Sequence, residues 1–434
     1  MREQLADTCR REGEAPAEPM PAPARQEPHP PARTPPQQAL VPCPLSAPAE
    51  LEALRPEWEE LLRDSAGDEV TLSPDWLLTW HGVFGGVGGR RLCAVAWRDG
   101  GGRLVGLAPL TCRRVRHRGL VPLRRLEPLG AGEPEADSVC TEYLNVIARR
   151  GREAAVADAL VRSLLDGACG AWDEIVLPHL AGDHPMTVAL AEALSRGGLA
   201  VTTETTGAAP YLPLPATWDD YLKALPGPDR YFVRRTLRDF DAWAGGDVRP
   251  SRARTPDDLR LGTDVLIELH RARWDEVGAA AGVFRSPRFL AFHAALMPRL
   301  LARGELELAW LTVRGRAVAA VYNFVRGGKA SFYQCGRAAD VPAKVRPGAA
   351  LLLKLIQDHI TAGRREFDFL GGDYRYKKQM ALASRPVVQL RAARPGWRER
   401  LRRAVEWGVA RLRPLRAALR RGGTRSAAAE PGEG

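Results

Sequence analysis

The alternation of apolar and polar positions from about residue 50 onwards predicts strands and helices that follow one another along the chain. Apolar runs at helical spacing or bounded by turn residues define the elements of the first half: helices at 50–64, 74–83, 153–166 and 185–195, and strands at 91–97, 103–110 and 171–177. Ser73 precedes Pro74 and is expected to cap the second helix. Asp99-Gly100-Gly101-Gly102 between the first two strands indicates a hairpin turn.

The second half repeats this order of elements. Its predicted elements are strands at 306–313, 316–325, 329–336 and 365–370 and helices at 218–243, 257–275 and 348–361. Three ordered matches relate the halves: GGRLVGL (101–107) with RGRAVAA (314–320), Gly151 with Gly348, and Gly182-Asp183 with Gly372-Asp373. The pattern therefore predicts an α/β (α+β) fold that arose by internal duplication.

The composition divides the chain into four regions. Residues 1–45 hold eleven of the 35 prolines and few aliphatic clusters, so we expect this segment to be disordered. We predict a non-catalytic N-terminal half at 46–215, a catalytic half at 216–390 and a basic tail at 391–434. Hydrophobic residues at 45% and charged residues at 26% are ordinary for a soluble globular protein.

The net charge of +11 belongs mainly to the tail. Residues 391–425 contain twelve arginines and only two glutamates, so the body is near neutral and DNA is not an expected partner. One helical stripe of this segment is apolar: Trp397, Leu401, Val405, Val409, Leu412, Leu415 and Leu419. Such a helix suits an anionic membrane surface, although a solvated packing helix or a partner-binding segment has the same pattern.

The cysteines and the start of the chain indicate a cytoplasmic location, at most peripheral to the inner face of the membrane. Seven cysteines lie scattered without a CxxC pair, which favours neither a disulfide framework nor a zinc site. The chain lacks a signal-peptide pattern and an uninterrupted apolar run long enough to span a bilayer. We therefore expect no metal.

Two segments of the second half carry candidate chemistry. The turn before the helix at 348 aims unpaired N–H groups outward, which favours an anion, and Arg346 strengthens it. In GGDYRYKK (371–378), Asp373 is a candidate for orienting a nucleophile, Tyr376 for protonating a leaving group and Lys377 for stabilising negative charge. A helix start capped by Asp373, with solvated Tyr and Lys, explains the same pattern. Motifs of serine hydrolases, zinc enzymes, P-loop ATPases and Rossmann dehydrogenases are missing.

The second half resembles the acyltransferase domain of the GNAT superfamily in CelD-like proteins of cellulose and exopolysaccharide biosynthesis, which are related to Fem-type peptidyltransferases. The matching segments are HRARW (270–274), GRAVAAVYNF (315–324), SFYQCG (331–336), RPGAALLLKLI (346–356) and FDFLGGDYRYKKQMA (367–381). The first half resembles the N-terminal part of such proteins through DWLLTW (75–80), RLVGLAPL (103–110) and LEPLG (126–130).

This resemblance implies tandem GNAT-like domains with mixed, splayed sheets, and transfer of an acyl group from acetyl-CoA or another acyl-CoA to a glycan or envelope precursor. The slot would lie between SFYQCG and REFDFL. The residues implied at the donor are Gln334, Cys335, Val345, Arg346, Gly348, Ala349 and Ala350. The residues implied at the acceptor are His270, Trp274, Asn323, Tyr333 and Asp368.

Two other functions remain open from the sequence. Fem-type relatives imply aminoacyl-tRNA as the donor, with its phosphates against the arginines of the connector at 218–243. A degenerate GNAT-fold scaffold for a polysaccharide synthase is the non-enzymatic alternative. His270 and Trp274, one helical turn apart, equally suit a packed face and an acceptor contact.

Overall fold

The structure is a computed structural model that describes residues 39–276, 282–342, 344–372 and 374–423, with side chains up to Arg411 except those of residues 275 and 276. Its strands are β1 Val41–Leu45, β2 Arg91–Leu92, β3 Ala94–Arg98, β4 Leu104–Ala108, β5 Leu110–His117, β6 Val121–Pro128, β7 Ile147–Ala148, β8 Glu174–Ala181, β9 Ala200–Pro213, β10 Val248–Arg252, β11 Leu306–Val313, β12 Arg316–Arg326, β13 Lys329–Arg337, β14 Glu366–Asp368 and β15 Ala383–Ala393.

The helices lie between these strands. They are α1 Pro48–Ala53, α2 Arg55–Arg63, α3 Pro74–Phe84, α4 Glu153–Leu165, α5 Pro185–Arg196, α6 Trp218–Ala224, α7 Gly227–Ala244, α8 Pro256–Glu276, α9 Pro287–Ala302, α10 Pro347–Thr361, α11 Arg375–Met380 and α12 Trp397–Gly423. None of the described helices is both long enough and apolar enough to cross a bilayer.

Two sheets organise the chain. A four-stranded sheet has the order β1-β3-β4-β7, and an eleven-stranded sheet has the order β10-β11-β12-β13-β14-β9-β15-β8-β6-β5-β2. Two pairs in the large sheet are parallel, β6 with β8 and β13 with β14, and each is connected through a crossover helix, α4 or α10. The predicted α/β fold with a mixed sheet is confirmed.

The halves are joined by an exchange of strands. β15, from the C-terminal half, lies between β8 and β9 of the N-terminal half. β9 in turn pairs with β14 through Pro213, Leu212 and Tyr211. Each half thereby completes the sheet of the other, and the two crossover units share one continuous set of backbone hydrogen bonds.

The side chains of α3 show how the core spans both halves. Ser73 caps this helix by accepting the N–H of Trp76, as predicted. The fully buried ring of Trp76 meets Phe292 of α9 and Phe324 of β12 edge-on, each at 5.1 Å between centroids. Burying an aromatic ring contributes on the order of 2 kcal/mol, so this helix fastens the N-terminal half to the C-terminal sheet.

Prolines explain where predicted helices divide. The helix predicted over 50–64 separates at Leu54 into α1 and α2, with Pro56 in the first turn of α2. The connector at 218–243 divides into α6 and α7 because Leu225, before Pro226, adopts an extended backbone. The strand predicted at 171–177 begins at Glu174 and continues to Ala181.

Part of the segment expected to be disordered is a strand. Residues 1–38 lie outside the described residues, whereas Val41–Leu45 pair with β3. Pro42 and Pro44 are tolerated because β1 is an edge strand that needs hydrogen bonds on one side only. The boundary proposed between the halves, near residue 215, stays a prediction.

Candidate active site

The sheet opens where β13 and β14 separate. These strands pair only from Lys329 with Glu366 to Ser331 with Asp368, whereas β13 continues to Arg337. The register of β13 against β12 also shifts at this point, so that Tyr333 is bulged out of the ladder. Two adjoining cavities lie beside the open part of β13, where the resemblance implied a slot between SFYQCG and REFDFL, and we call the two cavities together the slot.

The larger cavity, of about 530 Å³, is basic, and we call it the arginine cavity. Its lining includes Arg273, Arg337, Arg346 and Arg375, and no carboxylate of the described chain lines it. The first turn of α10 lies against it, so unpaired backbone N–H groups add to the positive potential. This arrangement binds anions, and phosphate groups suit its several separated charges.

The smaller cavity, of about 300 Å³, lies on the other side of the opening, and we call it the aromatic cavity. Its aromatic lining consists of Trp274, Phe332, Tyr333, Tyr374 and Tyr376. Among the described residues, Glu142 is the one carboxylate in this lining. Tyr376 and Arg273 line both cavities and therefore mark the passage between them.

Glu142 comes from the N-terminal half and is held by the turn after β14. The N–H of Gly371 donates to Oε1 at 2.9 Å and to Oε2 at 2.8 Å. Position 371 requires glycine for this approach, because a Cβ there would lie 2.8 Å from Glu142 Oε1. Burial raises the pKa of Glu142 to about 7, with Asp368 adding to the rise and Lys377 opposing it. A carboxylate with this pKa exchanges protons near neutral pH.

Lys377 contacts the same turn through two hydrogen bonds. Its buried Nζ donates to the carbonyl oxygens of Phe369 at 2.7 Å and Gly371 at 2.6 Å. Burial lowers the pKa of Lys377, while Glu142 opposes the shift. The ammonium therefore fixes the backbone whose N–H groups hold Glu142. Asp373, the third candidate of this segment, lies outside the described residues.

The side chain of Tyr376 lies where the two cavities meet, and burial raises the pKa of its phenol above the usual value. The phenol therefore keeps its proton at working pH. The thiol of Cys335, next to it, receives a hydrogen bond from Arg273 at 3.5 Å, and burial raises its pKa. Cys335 thus remains a neutral thiol in the wall.

The histidine and tryptophan of HRARW form a hydrogen-bonded pair in the aromatic cavity. Trp274 Nε1–H donates to His270 Nε2 at 2.9 Å. Burial and the neighbouring arginines lower the pKa of His270 to about 4, so the ring is neutral. Gly336 permits this placement, because a Cβ there would lie 2.6 Å from the backbone nitrogen of His270. The pair is both packed and facing the cavity.

The structure brings most of the predicted site residues to the slot. In the linings are His270, Trp274, Tyr333, Gln334, Cys335, Arg346, Gly348, Ala349, Tyr376 and Lys377. Val345 and Ala350 are buried in the core and outside both linings.

Asn323 and Asp368 lie away from the slot. Asn323 Nδ2 donates to Glu307 Oε2 at 2.7 Å, in a buried group that also includes His359. Asp368 Oδ1 accepts the N–H of Leu370 at 2.7 Å and the hydroxyl of Tyr143 at 3.3 Å. Both side chains therefore serve the sheet around the opening, since neither is in a cavity lining.

Several residues of the site escape sequence reasoning. Glu142 is 229 positions from Gly371 and lies in a loop without periodicity, so no local pattern predicts it. The sequence could have indicated Arg273, because it lies in HRARW between His270 and Trp274, which were both predicted site residues. Arg337 and Arg375 directly follow the segments SFYQCG and GGDY, and their type alone gave no signal in an arginine-rich chain.

The comparisons with known proteins identify the part of the chain that contains this slot. Residues 229–378 match the family described as the acetyltransferase (GNAT) domain. A search of curated proteins finds no match. Among solved structures, FemX is similar with a TM-score of 0.51 at 11% identity, over 76% of this chain and 95% of that chain.

Two further solved structures are similar at lower scores. A tandem GNAT protein from the clavulanic acid biosynthesis pathway has a TM-score of 0.41 at 14% identity, covering 82% of this chain and all of that chain (100%). L-PGS from Bacillus licheniformis has a TM-score of 0.44 at 14% identity, covering 80% and 92%. At such identities the likeness concerns the fold alone.

Proposed function

We propose that this chain transfers an acyl group from acyl-CoA to an amine of a sugar or cell-envelope precursor. The premise is that residues 229–378 form a GNAT acetyltransferase domain and that the chain is an acyltransferase. The observation that carries the proposal is the opening between β13 and β14, with a cavity of arginines on one side and a carboxylate among aromatic rings on the other.

The donor fits the arginine cavity. Its diphosphate and 3′-phosphate would lie against Arg337, Arg346 and the first N–H groups of α10. The thioester would then enter the gap beside Phe332–Cys335, where β13 has lost its pairing with β14. A backbone N–H on this open edge would polarise the thioester carbonyl, and polarisation of that kind is a large term in acyl transfer.

The acceptor amine fits the aromatic cavity. Glu142, with its pKa of about 7, would take the proton from the incoming ammonium, because a base near the operating pH combines availability with basicity. The free amine then attacks the carbonyl carbon, so that a C–N bond forms and the C–S bond breaks. The nitrogen of the tetrahedral intermediate would then lose its second proton to water as the amide forms, and Glu142 would release its own proton to solvent.

Tyr376 and Lys377 would complete the step. The phenol of Tyr376 would donate its proton to the departing CoA thiolate, and it regains one from solvent. Lys377 would act as a positioning residue, because it contacts the carbonyl oxygens of the turn that holds Glu142. Transfer is direct, and Cys335 stays a neutral thiol in the wall.

The proposed acceptor class rests on the lining and on the resemblance to CelD-like proteins. Aromatic side chains offer flat faces to the C–H groups of a sugar ring, and Trp274 and Tyr374 line the same cavity as Glu142. The carboxylate favours a cationic amine over a neutral hydroxyl. An amino sugar satisfies both requirements.

Aminoacyl-tRNA is the alternative donor, favoured by the fold similarity to FemX. The connector arginines that would meet its phosphates are partly engaged within the protein. Arg235 and Arg238 both pair with Asp239, and Arg230 donates to the carbonyl oxygens of Lys223 and Leu225. This engagement makes α7 a weaker phosphate surface than the arginine cavity.

Titration calorimetry of the full chain with acetyl-CoA and, separately, with aminoacylated tRNA tests the donor. We expect binding of acetyl-CoA and, with an amino-sugar acceptor, release of free thiol from it. Binding of tRNA, together with no heat from acetyl-CoA, would mean that aminoacyl-tRNA and not acyl-CoA is the donor. Thiol release with hydroxyl but not amine acceptors would overturn the acceptor class.

A further inference from the structure

The beginning of α12 is attached to the body by ion pairs and not by an apolar face. Glu399 is buried and pairs with Arg391 of β15 at 2.6 Å and with Arg402 of its own helix at 2.9 Å. Glu406, two turns later, pairs with His117 at 2.8 Å and Arg118 at 3.2 Å. Both acidic residues of this helix therefore point inward and are neutralised there.

The apolar side chains of this stretch point the other way. Trp397 is 58% exposed, Leu401 43% and Trp407 60%. At 3.6 residues per turn Trp397 and Leu401 lie roughly opposite Glu399 and Glu406, and Trp407 lies about 80° to the other side of Trp397. The stripe predicted from the sequence is not uniformly exposed, because Val405 and Val409 are half-buried.

Arginines surround these exposed rings. Arg400, Arg403 and Arg411 are all exposed on this part of α12. The guanidinium of Arg411 stacks on Trp407 at 3.7 Å from the ring centroid. The outward side thus combines indole rings with cations, which is the composition of helices that lie at the boundary between lipid headgroups and acyl chains.

The turn between β5 and β6 lies against the ion-paired side of this helix and exposes further apolar and basic groups. Leu120 at its tip is 68% exposed, the most exposed large apolar side chain of the described residues. Arg114 and Arg116 on the same hairpin are exposed as well. Because Arg118 of this turn bonds to Glu406, the tip and the helix are fixed beside each other.

We propose that the outward side of α12, from Trp397 to Arg411, and the β5–β6 turn together form a docking face for an anionic lipid bilayer. The face does not depend on the acyl-transfer proposal. Lipid is the occupant that uses both parts of it, since phosphates attract the arginines and the acyl-chain boundary takes up Trp397, Trp407 and Leu120. A nucleic acid would use the charges but leave the exposed apolar groups in water.

Co-sedimentation of the full chain with large unilamellar vesicles tests this face. We expect binding to vesicles of equal parts phosphatidylglycerol and phosphatidylcholine, little binding to phosphatidylcholine alone, and weakening by added salt. Tryptophan fluorescence should shift to the blue on binding. No anionic-vesicle binding, or retention by nucleic acid without vesicle binding, would overturn the proposal.

Matched variants distinguish vesicle binding through this face from nonspecific binding of the protein to lipid. A variant that combines Leu120→Ser, Trp397→Ser and Trp407→Ser should lower vesicle partitioning by about tenfold or more, because each of the original side chains would bury apolar area in the interface. The control variant combines Leu261→Ser and Val188→Ser, whose side chains lie away from this face and are 53% and 47% exposed. The control should leave vesicle partitioning unchanged. Equal partitioning of both variants would contradict the proposal, and unchanged melting and acetyl-CoA binding would show that folding and the slot are intact.

Discussion

Each of the two crossover units of the large sheet joins a pair of parallel strands through a helix, but the units differ in what lies between those strands. β6–α4–β8 belongs to the N-terminal half and β13–α10–β14 to the C-terminal half. Both crossover helices begin after an arginine at the N-cap position, Arg152 for α4 and Arg346 for α10. Only the second unit opens into the slot described above.

A segment of chain crosses the corresponding space in the N-terminal unit, and a separate cavity of about 260 Å³ lies beside it. The N–H of Tyr143 donates to the carbonyl oxygen of His179 in β8 at 2.9 Å. Leu144 and Leu77 pack so closely on Gly130, just after β6, that a Cβ there would lie 2.8 Å from Leu77. Glu153 at the first position of α4 also places an acid where α10 begins with Pro347.

The comparison shows how the two halves divide the work. The segment that crosses this space in the N-terminal unit is the one that carries Glu142, and it extends from there to Gly371 beside the C-terminal slot. Residues before the proposed boundary thus supply the proposed base to the slot beside β13.

The largest effect is expected from Glu142→Gln. Without a base that exchanges protons near neutral pH, turnover should fall by roughly 10²- to 10³-fold. The wild-type kcat/KM should rise with pH through about 7, because the ionised form is the active one, and this rise should vanish in the variant. Steady-state rates over a pH series measure both.

Glu153→Gln, at the start of α4, is the matched control for that substitution. It should keep wild-type turnover, because Glu153 lies outside both cavities of the slot. An equal loss in both variants, or an unchanged pH profile in Glu142→Gln, would remove Glu142 from the mechanism.

Tyr376→Phe should have the next largest effect. The ring would still line both cavities, but the thiolate would lose its proton donor, so kcat should fall by about 10- to 100-fold with little change in KM. Thiol release under saturating acyl-CoA is the measurement. A rise in KM without a fall in kcat would make Tyr376 a binding residue only.

Arg346→Ala should weaken donor binding without changing the chemical step. Loss of one charge-assisted contact to phosphate is expected to raise KM for acyl-CoA by about tenfold. Arg152→Ala, at the same cap position of α4, should leave KM unchanged. Equal effects of the two substitutions would mean that the arginine cavity is not the donor site.

A smaller effect concerns stability. The raised pKa of Glu142, about 7, means that the folded state holds a proton that the unfolded chain has already lost, so the free energy of unfolding falls as pH rises from about 5 to 8. Glu142→Gln removes this cost, which is on the order of 2 kcal/mol. Thermal unfolding should show the variant more stable than wild type at pH 8 and similar at pH 5. A constant difference across this range would contradict the shift.

Local pattern predicted the elements whose partners are close in sequence. β11 and β12 were found as a hairpin, and α10 was found from its apolar run with Pro347 at its start. β9 and β15 were missed, because they pair across the two halves over about 170 to 190 positions and carry many polar residues. The strand exchange that unites the halves therefore had no local signal.

The candidate site followed the same rule. Tyr376, Lys377 and Arg346 lie on short segments at the ends of β14 and β13, where a strand-to-helix turn is visible in the sequence. Glu142 depends on the path of the preceding half, which only the folded chain reveals. The resemblance implied Asn323 at the acceptor, but its side chain donates to Glu307.

Hydrogen exchange of the full chain with and without saturating acetyl-CoA tests the central claim most directly. The account predicts new protection at residues 332–337 of β13 and at the first turn of α10, with none at the end of β6 or the first turn of α4. Protection at the N-terminal crossover, or none at either crossover while binding heat is measured, would contradict it.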